Sequence, residues 1–166
     1  MNPQSIEVQH FVLAKTVSTF GAPRESNILG VRFDYSIPPD TEFPKTLHRP
    51  VVFARIFARD TGVADYRLRV HYEYSPEQWQ LLHDYFNPLQ PLLFSPHGLS
   101  ILDQPLSMPF ISLAGFGLYA ITIHFRTEES ESGVGEGWND PDPAGWGPDD
   151  PGWFFGSIEY FRVIPQ

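Results

Sequence analysis

The sequence contains no cysteine, which excludes disulfide bridges, thiolate catalysis and thiolate metal sites. Lysine is scarce, at Lys15 and Lys45 only, and the other nine basic residues are arginines. No apolar run reaches the roughly 18 residues that a membrane-spanning helix needs. The N-terminus has neither a basic start nor an apolar core, so it indicates no secretory signal. We therefore expect a cytoplasmic protein that does not bind membranes.

The residues that are present indicate a folded domain. Hydrophobic residues make up 42% of the 166 residues and aromatic residues 15%, which is too apolar for a disordered chain. A chain of this length forms one domain on the usual expectation, and folding buries roughly 70% of its unfolded surface. We therefore predict a single domain over residues 1–166 with one sizeable core.

The net charge of −9 is concentrated in one stretch, residues 127–152, which we call the acidic segment. It holds eight of the 20 acidic residues and no lysine or arginine, so the rest of the chain has 12 acidic against 11 basic residues. This nearly neutral remainder lacks the clustered basic residues that nucleic-acid binding needs. Nucleic acid is therefore not an expected partner.

Several stretches alternate apolar and polar residues with the period of two that is typical of half-buried strands. The clearest is 66–74, and we predict further strands over 6–15, 27–37, 50–59, 118–126 and 154–164. The apolar side of the three clearest strands predicts these core residues: Val31, Phe33, Leu68, Val70, Tyr72, Ile121 and Ile123.

One short helix is predicted over 76–86. Ser75 can cap it, Pro76 suits its first position, and Gln78 completes a capping box. A proline-rich stretch follows, which favours loops or edge strands. The expected fold is therefore an all-β antiparallel sandwich, immunoglobulin-like, with one short helix and a long acidic loop between the last two strands.

Short matches resemble a bacterial family of uncharacterised, short, single-domain β-sandwich proteins, over about residues 6–126. The residues that carry the resemblance are Asn27-Ile28-Leu29-Gly30-Val31, Val51-Val52-Phe53-Ala54-Arg55, Leu68-Arg69-Val70 and Gly117-Leu118-Tyr119. The resemblance implies a sandwich fold and no activity, and the acidic segment departs from the family's pattern.

The acidic segment is the main candidate binding element. Structureless loops longer than about 15 residues are uncommon and are usually functional or disordered. This one is rich in glycine, proline and tryptophan, and exposed tryptophan is costly unless it packs on something. Two interpretations stay open: a solvated insertion, or a loop that docks on its own domain or on a second copy. The candidate binding residues are Trp138, Trp146, Trp153, Asp140, Asp142, Asp149 and Asp150.

Six arginines lie on the polar side of the predicted strands or at their ends. Ordinary ion pairs with neighbours such as Asp34 and Glu73 would account for them. The alternative is a basic face that binds an anionic partner, for which the acidic segment is the obvious candidate. The set is Arg32, Arg55, Arg59, Arg67, Arg69 and Arg126.

No motif indicates catalysis. There is no nucleophile elbow, and none of the six histidines has ligand spacing. His71 and His124 fall on polar strand faces, where we expect solvated side chains. We predict no enzyme activity, no cofactor and no metal site. The expected function is a non-enzymatic module for protein binding or assembly that self-associates through the acidic segment. The alternative is calcium or carbohydrate binding by its aspartate and tryptophan residues.

Overall fold

The computed structural model describes residues 1–20, 25–31, 33–95, 100–131, 146 and 152–166. The described chain is all-β, as the alternation predicted, with one 3-10 turn (Pro3–Ser5) and one short helix, α1 (Glu128–Glu131). No described helix has the length and apolar character that a bilayer crossing requires. The strands are β1 (Ile6–Phe20), β2 (Glu25–Val31), β3 (Asp34–Ile37), β4 (Lys45–His48), β5 (Val51–Ala58), β6 (Gly62–Ser75), β7 (Gln78–Phe86), β8 (Leu92–Phe94), β9 (Ser100–Ser107), β10 (Phe110–Leu113), β11 (Gly117–Thr127) and β12 (Phe154–Pro165).

The strands form two large sheets and one small one. The smaller of the large sheets has four antiparallel strands in the order β2-β1-β5-β9. The larger sheet has the order β3-β12-β11-β6-β7, and β8 also pairs with β6. Its pairs are antiparallel except β3 with β12, which run parallel. Strands β4 and β10 form a separate two-stranded sheet.

One hydrophobic core lies between the two large sheets in a sandwich-like arrangement. Alternate residues of β5 and of β6 and β11 contribute to it, because successive side chains of a strand point to opposite faces. The predicted core residues Leu68, Val70, Ile121 and Ile123 are confirmed, each at most 1% exposed.

The prediction of one continuous strand over 27–37 is wrong. Strand β2 ends at Val31, and β3 begins at Asp34 beside β12 in the other large sheet. Gly30, with φ of 66°, takes a left-handed conformation that favours glycine. Val31 and Phe33 are consequently 42% and 58% exposed instead of buried, because the chain leaves one sheet between them.

The predicted helix over 76–86 is also wrong, because residues 78–86 form β7, paired with β6. Pro76 and Glu77 make the turn between these two strands. Glu77 has a positive φ of 62°, and its backbone N–H donates to the Glu73 carboxylate at 2.8 Å. Proline followed by a residue with positive φ is typical of a type II turn. The pairing with β6 therefore prevails over the local capping pattern.

Tyr119 anchors the loop before β11. Its fully buried hydroxyl accepts from the N–H groups of Ala114 and Gly115, both at 3.0 Å, and donates to the Gly115 carbonyl at 2.7 Å. Burial raises the pKa of Tyr119 to about 12, so the hydroxyl stays protonated and can donate. Tyr72, also predicted as core, is only half-buried, and its hydroxyl donates to the Phe116 carbonyl.

Candidate functional site

The outward side of the larger sheet carries polar and aromatic side chains where a solvated surface was expected. Alternation fixes this, because the core-facing residues of β6 and β11 leave the intervening positions pointing away from the core. Strand pairing then brings these positions together, as in the pairs of Arg69 with Thr122 and Arg67 with His124. We call this surface the Trp face, and it comprises Arg67, Arg69, His71, Trp79, Asp84, Phe86, Thr122, His124 and Arg126.

The centre of the Trp face is buried. His71 is 4% exposed and His124 is 1% exposed, so the prediction that these two histidines are solvated is wrong. Thr122 is 0% exposed, and Arg69 is 9% exposed. Sequence alternation identifies which face a side chain takes, but it does not say whether another part of the chain covers that face.

Trp146 of the acidic segment lies on the Trp face. Its ring is stacked on His71, with centroids 4.7 Å apart, and lies 4.8 Å from the ring of Trp79. The Arg69 guanidinium donates a hydrogen bond to the main-chain carbonyl of Trp146. The contact therefore includes both the side chain and the backbone of Trp146, from residues of two paired strands.

Trp153 covers the other end of the same face, just before β12. The Arg126 guanidinium lies 4.8 Å from its ring centroid and that of Arg67 lies 5.4 Å away. Phe86 meets the same ring edge-to-face at 5.2 Å. Guanidinium groups within about 6 Å of an indole ring are attracted by its negative face. The two tryptophans that flank the end of the acidic segment thus contact adjacent parts of one surface.

The arginines of the Trp face are paired with strand carboxylates. Arg67 forms a bidentate contact with Asp84, with one bond of 2.7 Å from Nη2, and Arg69 Nε lies 3.4 Å from the same carboxylate. Two guanidinium groups therefore share one carboxylate. Of these two groups, that of Arg69 also donates to the main-chain carbonyl of Trp146.

The described beginning of the acidic segment also meets basic groups. Arg126 Nη2 lies 3.0 Å from Asp65, and its Nη1 lies 3.6 Å from Glu131 of α1. The N-terminal ammonium donates to Glu129 at 3.0 Å. Glu129 and Glu131 are 51% and 63% exposed, and exposed pairs contribute only about 0–1 kcal/mol. These two ion pairs therefore add little to the stability of the fold.

The other predicted site residues have different positions. Arg55 lies on β5 of the four-stranded sheet and forms a bidentate pair with Asp103, at 2.6 and 2.7 Å. Arg59, just after β5, is exposed. The arginines of the described chain are therefore divided between two sheets. The predicted residues outside the described ranges are Arg32, Trp138, Asp140, Asp142, Asp149 and Asp150.

Besides the Nε atoms of Arg69 and Arg126, two polar atoms of this region have no hydrogen-bond partner among the described residues. They are the Thr122 Oγ1 atom and the Trp153 indole nitrogen, both buried. Within the described ranges, no three histidine, aspartate or glutamate side chains are grouped closely enough to hold a metal ion. The groups that the Trp face offers to a partner are aromatic rings, guanidinium groups and hydrogen-bonding atoms.

Sequence reasoning missed Trp79, because it was assigned to the predicted helix. Once residues 78–86 are read as a strand, Trp79 faces the same side of the sheet as Asp84 and Phe86, because the register shifts by one residue between Leu81 and His83.

Comparison of the chain with protein families, with curated proteins and with solved structures finds no match. The function must therefore be argued from the Trp face itself.

Proposed function

We propose that this chain is a non-enzymatic binding module that self-associates, with the Trp face of one copy binding the Trp146 region of a second. The observation that supports this proposal is the double contact of Trp146, whose ring lies on His71 and Trp79 while its carbonyl accepts from Arg69. A surface that contacts both a ring and a main-chain carbonyl has the chemistry to bind a peptide segment.

In this proposal the ring contacts of Trp146 supply affinity, and the charged groups supply selectivity. Tryptophan is a frequent hot spot of protein interfaces, so the half-buried Trp146 ring supplies most of the binding energy. The charged groups, including the guanidinium groups of Arg67 and Arg69 around Asp84, choose the acidic partner and its register. Charge pairs alone could not hold the segment, because exposed pairs are weak.

The same contacts can form within one chain or between two chains. Exchange of an identical element between copies is a low-cost route to dimers, since it replaces each internal contact by an equal one. The closed single chain and an exchanged dimer would then be in an equilibrium that depends on concentration. The internal docking of Trp146 describes the closed form.

The hydrogen bonds of Tyr119 support a finer assignment of the fold as an immunoglobulin-like sandwich. In such sandwiches a tyrosine near the start of a late strand bonds through its hydroxyl to backbone a few residues upstream. Tyr119 follows the first two residues of β11 and bonds to Ala114 and Gly115. Calcium or carbohydrate binding has no comparable support, because the aspartates proposed for it lie outside the described ranges.

Sedimentation velocity over a wide range of protein concentration tests the proposal. We expect the wild-type chain to change from a species of 18.9 kDa to a dimer as concentration rises. Deletion of residues 133–147 should give a folded monomer at every concentration, and Trp146→Ala should weaken association more than Glu136→Gln. Leu89→Ala, at an 88% exposed position outside the Trp face, is the control and should leave association unchanged. A wild-type chain that stays monomeric throughout would contradict self-association.

A further inference from the structure

A separate cleft opens between the two large sheets at the edge formed by β8 and β9. Its volume is about 720 Å³, within the roughly 300–1,000 Å³ of most small-molecule sites. The apolar part of its lining includes Leu92 and Leu102 together with Pro91 and Pro105. The Trp face lies on the outward side of the larger sheet, whereas this cleft lies on the inner side.

At this cleft, two positions of β6 and β9 that face the core carry polar side chains instead of apolar ones. Gln104 pairs with the buried Ala54 and has the same parity as Leu102 and Leu106. Tyr66 pairs with the buried Phe125 and has the same parity as Leu68. Both side chains therefore face the cleft between the sheets, and both are half-buried.

Neither group has a good internal partner among the described residues. The Gln104 amide reaches only the carbonyl of the adjacent Pro105, at a long 3.4 Å. The Tyr66 hydroxyl makes no hydrogen bond within the described chain, and burial raises its pKa, so it is a protonated donor at neutral pH. A donor and an amide thus face the same cleft with their hydrogen-bonding capacity largely free.

The described lining is also uncharged, in a chain whose net charge is −9. An ionic ligand would lose its hydration there without gaining a counter-charge, which is unfavourable. An uncharged ligand loses little hydration, and its apolar part gains from contact with the leucines. The lining therefore selects neutral molecules.

From these observations we propose that the cleft between β8 and β9 binds an uncharged, amphipathic small molecule. Its apolar body packs on Leu92 and Leu102, and its polar group bonds to the Tyr66 hydroxyl and the Gln104 amide. This site is separate from the surface proposed for self-association, because none of the described lining residues belongs to the Trp face or the acidic segment.

Titration of the full chain with Nile red, a neutral and polarity-sensitive fluorophore, tests the site. We expect saturable one-to-one binding by the wild-type chain. Gln104→Trp should fill the cleft and weaken the binding at least tenfold. Ile101→Trp adds the same side chain on the opposite face of β9, where Ile101 is 54% exposed and outside the lining, and should leave binding unchanged.

Two further variants keep the test decisive. If Gln104→Trp fails to fold, Leu93→Trp at the 66% exposed rim of the cleft replaces it, with the same expected loss. Tyr66→Phe removes only the hydroxyl and should weaken binding severalfold. Absence of saturable binding by the wild-type chain, or equal binding by the cleft-filling variant and by Ile101→Trp, would overturn the proposal.

Discussion

The indole of Trp146 is stacked on the imidazole of His71, with ring centroids 4.7 Å apart and planes inclined by 21°. The two residues are far apart in sequence, and the contact places part of the acidic segment on the outward side of the larger sheet. It also contributes to the burial of His71, which is 4% exposed on the polar side of its strand.

Tyr119→Phe should lower the free energy of unfolding by about 1–3 kcal/mol, because it leaves buried backbone groups at Ala114 and Gly115 without a partner. Urea denaturation measures this change. Tyr74→Phe is the matched control, since Tyr74 is 57% exposed and should tolerate the loss of its hydroxyl. Equal effects of the two substitutions would contradict the anchoring role of Tyr119.

His83 should make stability fall in mild acid. Burial lowers the pKa of His83 from its ordinary 6.5, and its Nε2 accepts from the Ser112 N–H at 2.8 Å, which requires that nitrogen to be unprotonated. Between the lowered value and 6.5 the unfolded chain binds more protons, so acidification through this window favours unfolding.

Urea midpoints measured between pH 7.5 and 5 test this dependence. His83→Gln should flatten the decline relative to the wild-type chain, whereas His48→Gln, at an exposed residue of β4, should not. A wild-type decline that persists unchanged in His83→Gln would show that another group is responsible.

Glu159→Gln should stabilise the chain at neutral pH. The half-buried Glu159 faces the same side as the core residue Phe161, and burial raises the pKa of its carboxyl above 4.5. In the window just above 4.5 the folded chain binds more protons, so stability falls as the pH rises through it.

The stability gain of Glu159→Gln should therefore grow with pH across that window, stay constant above it, and vanish in acid. Thermal unfolding at several pH values measures it. Glu42→Gln, at an exposed loop position, is the control and should give no such profile. A neutral or destabilising effect of Glu159→Gln at pH 7 would contradict the assigned burial cost.

The sequence was informative where alternation is strong and local signals agree with it. The strands around Val70 and Ile121 were predicted from their period of two, and their burial followed from parity. The break after Gly30 could not be predicted, because the alternation continues through Val31 and Phe33 while the chain moves to another sheet. The capping pattern at Ser75 predicted a helix that does not form, because the pairing of β7 with β6 outweighs this short-range preference.

The candidate site was predicted in part. Composition left open whether the tryptophans in and beside the acidic segment dock or are solvated, and the structure places Trp146 and Trp153 against the sheet. The contact of Trp146 with His71 and Trp79 could not be predicted from the sequence. It depends on the register between β6 and β7, which the turn geometry and the long-range pairing set together. The pairing of Arg67 and Arg69 with Asp84 depends on the same register.

The most direct test of the account is a nuclear Overhauser measurement on the isotope-labelled chain at a concentration where it is monomeric. We predict cross-peaks from the Trp146 indole protons to the ring protons of both His71 and Trp79, and their loss in Trp146→Ala. Chemical shifts of Leu89 should stay unchanged in that variant. Absence of these cross-peaks, with a Trp146 indole whose shifts and relaxation match those of a solvated side chain, would contradict the docking of Trp146 on the Trp face.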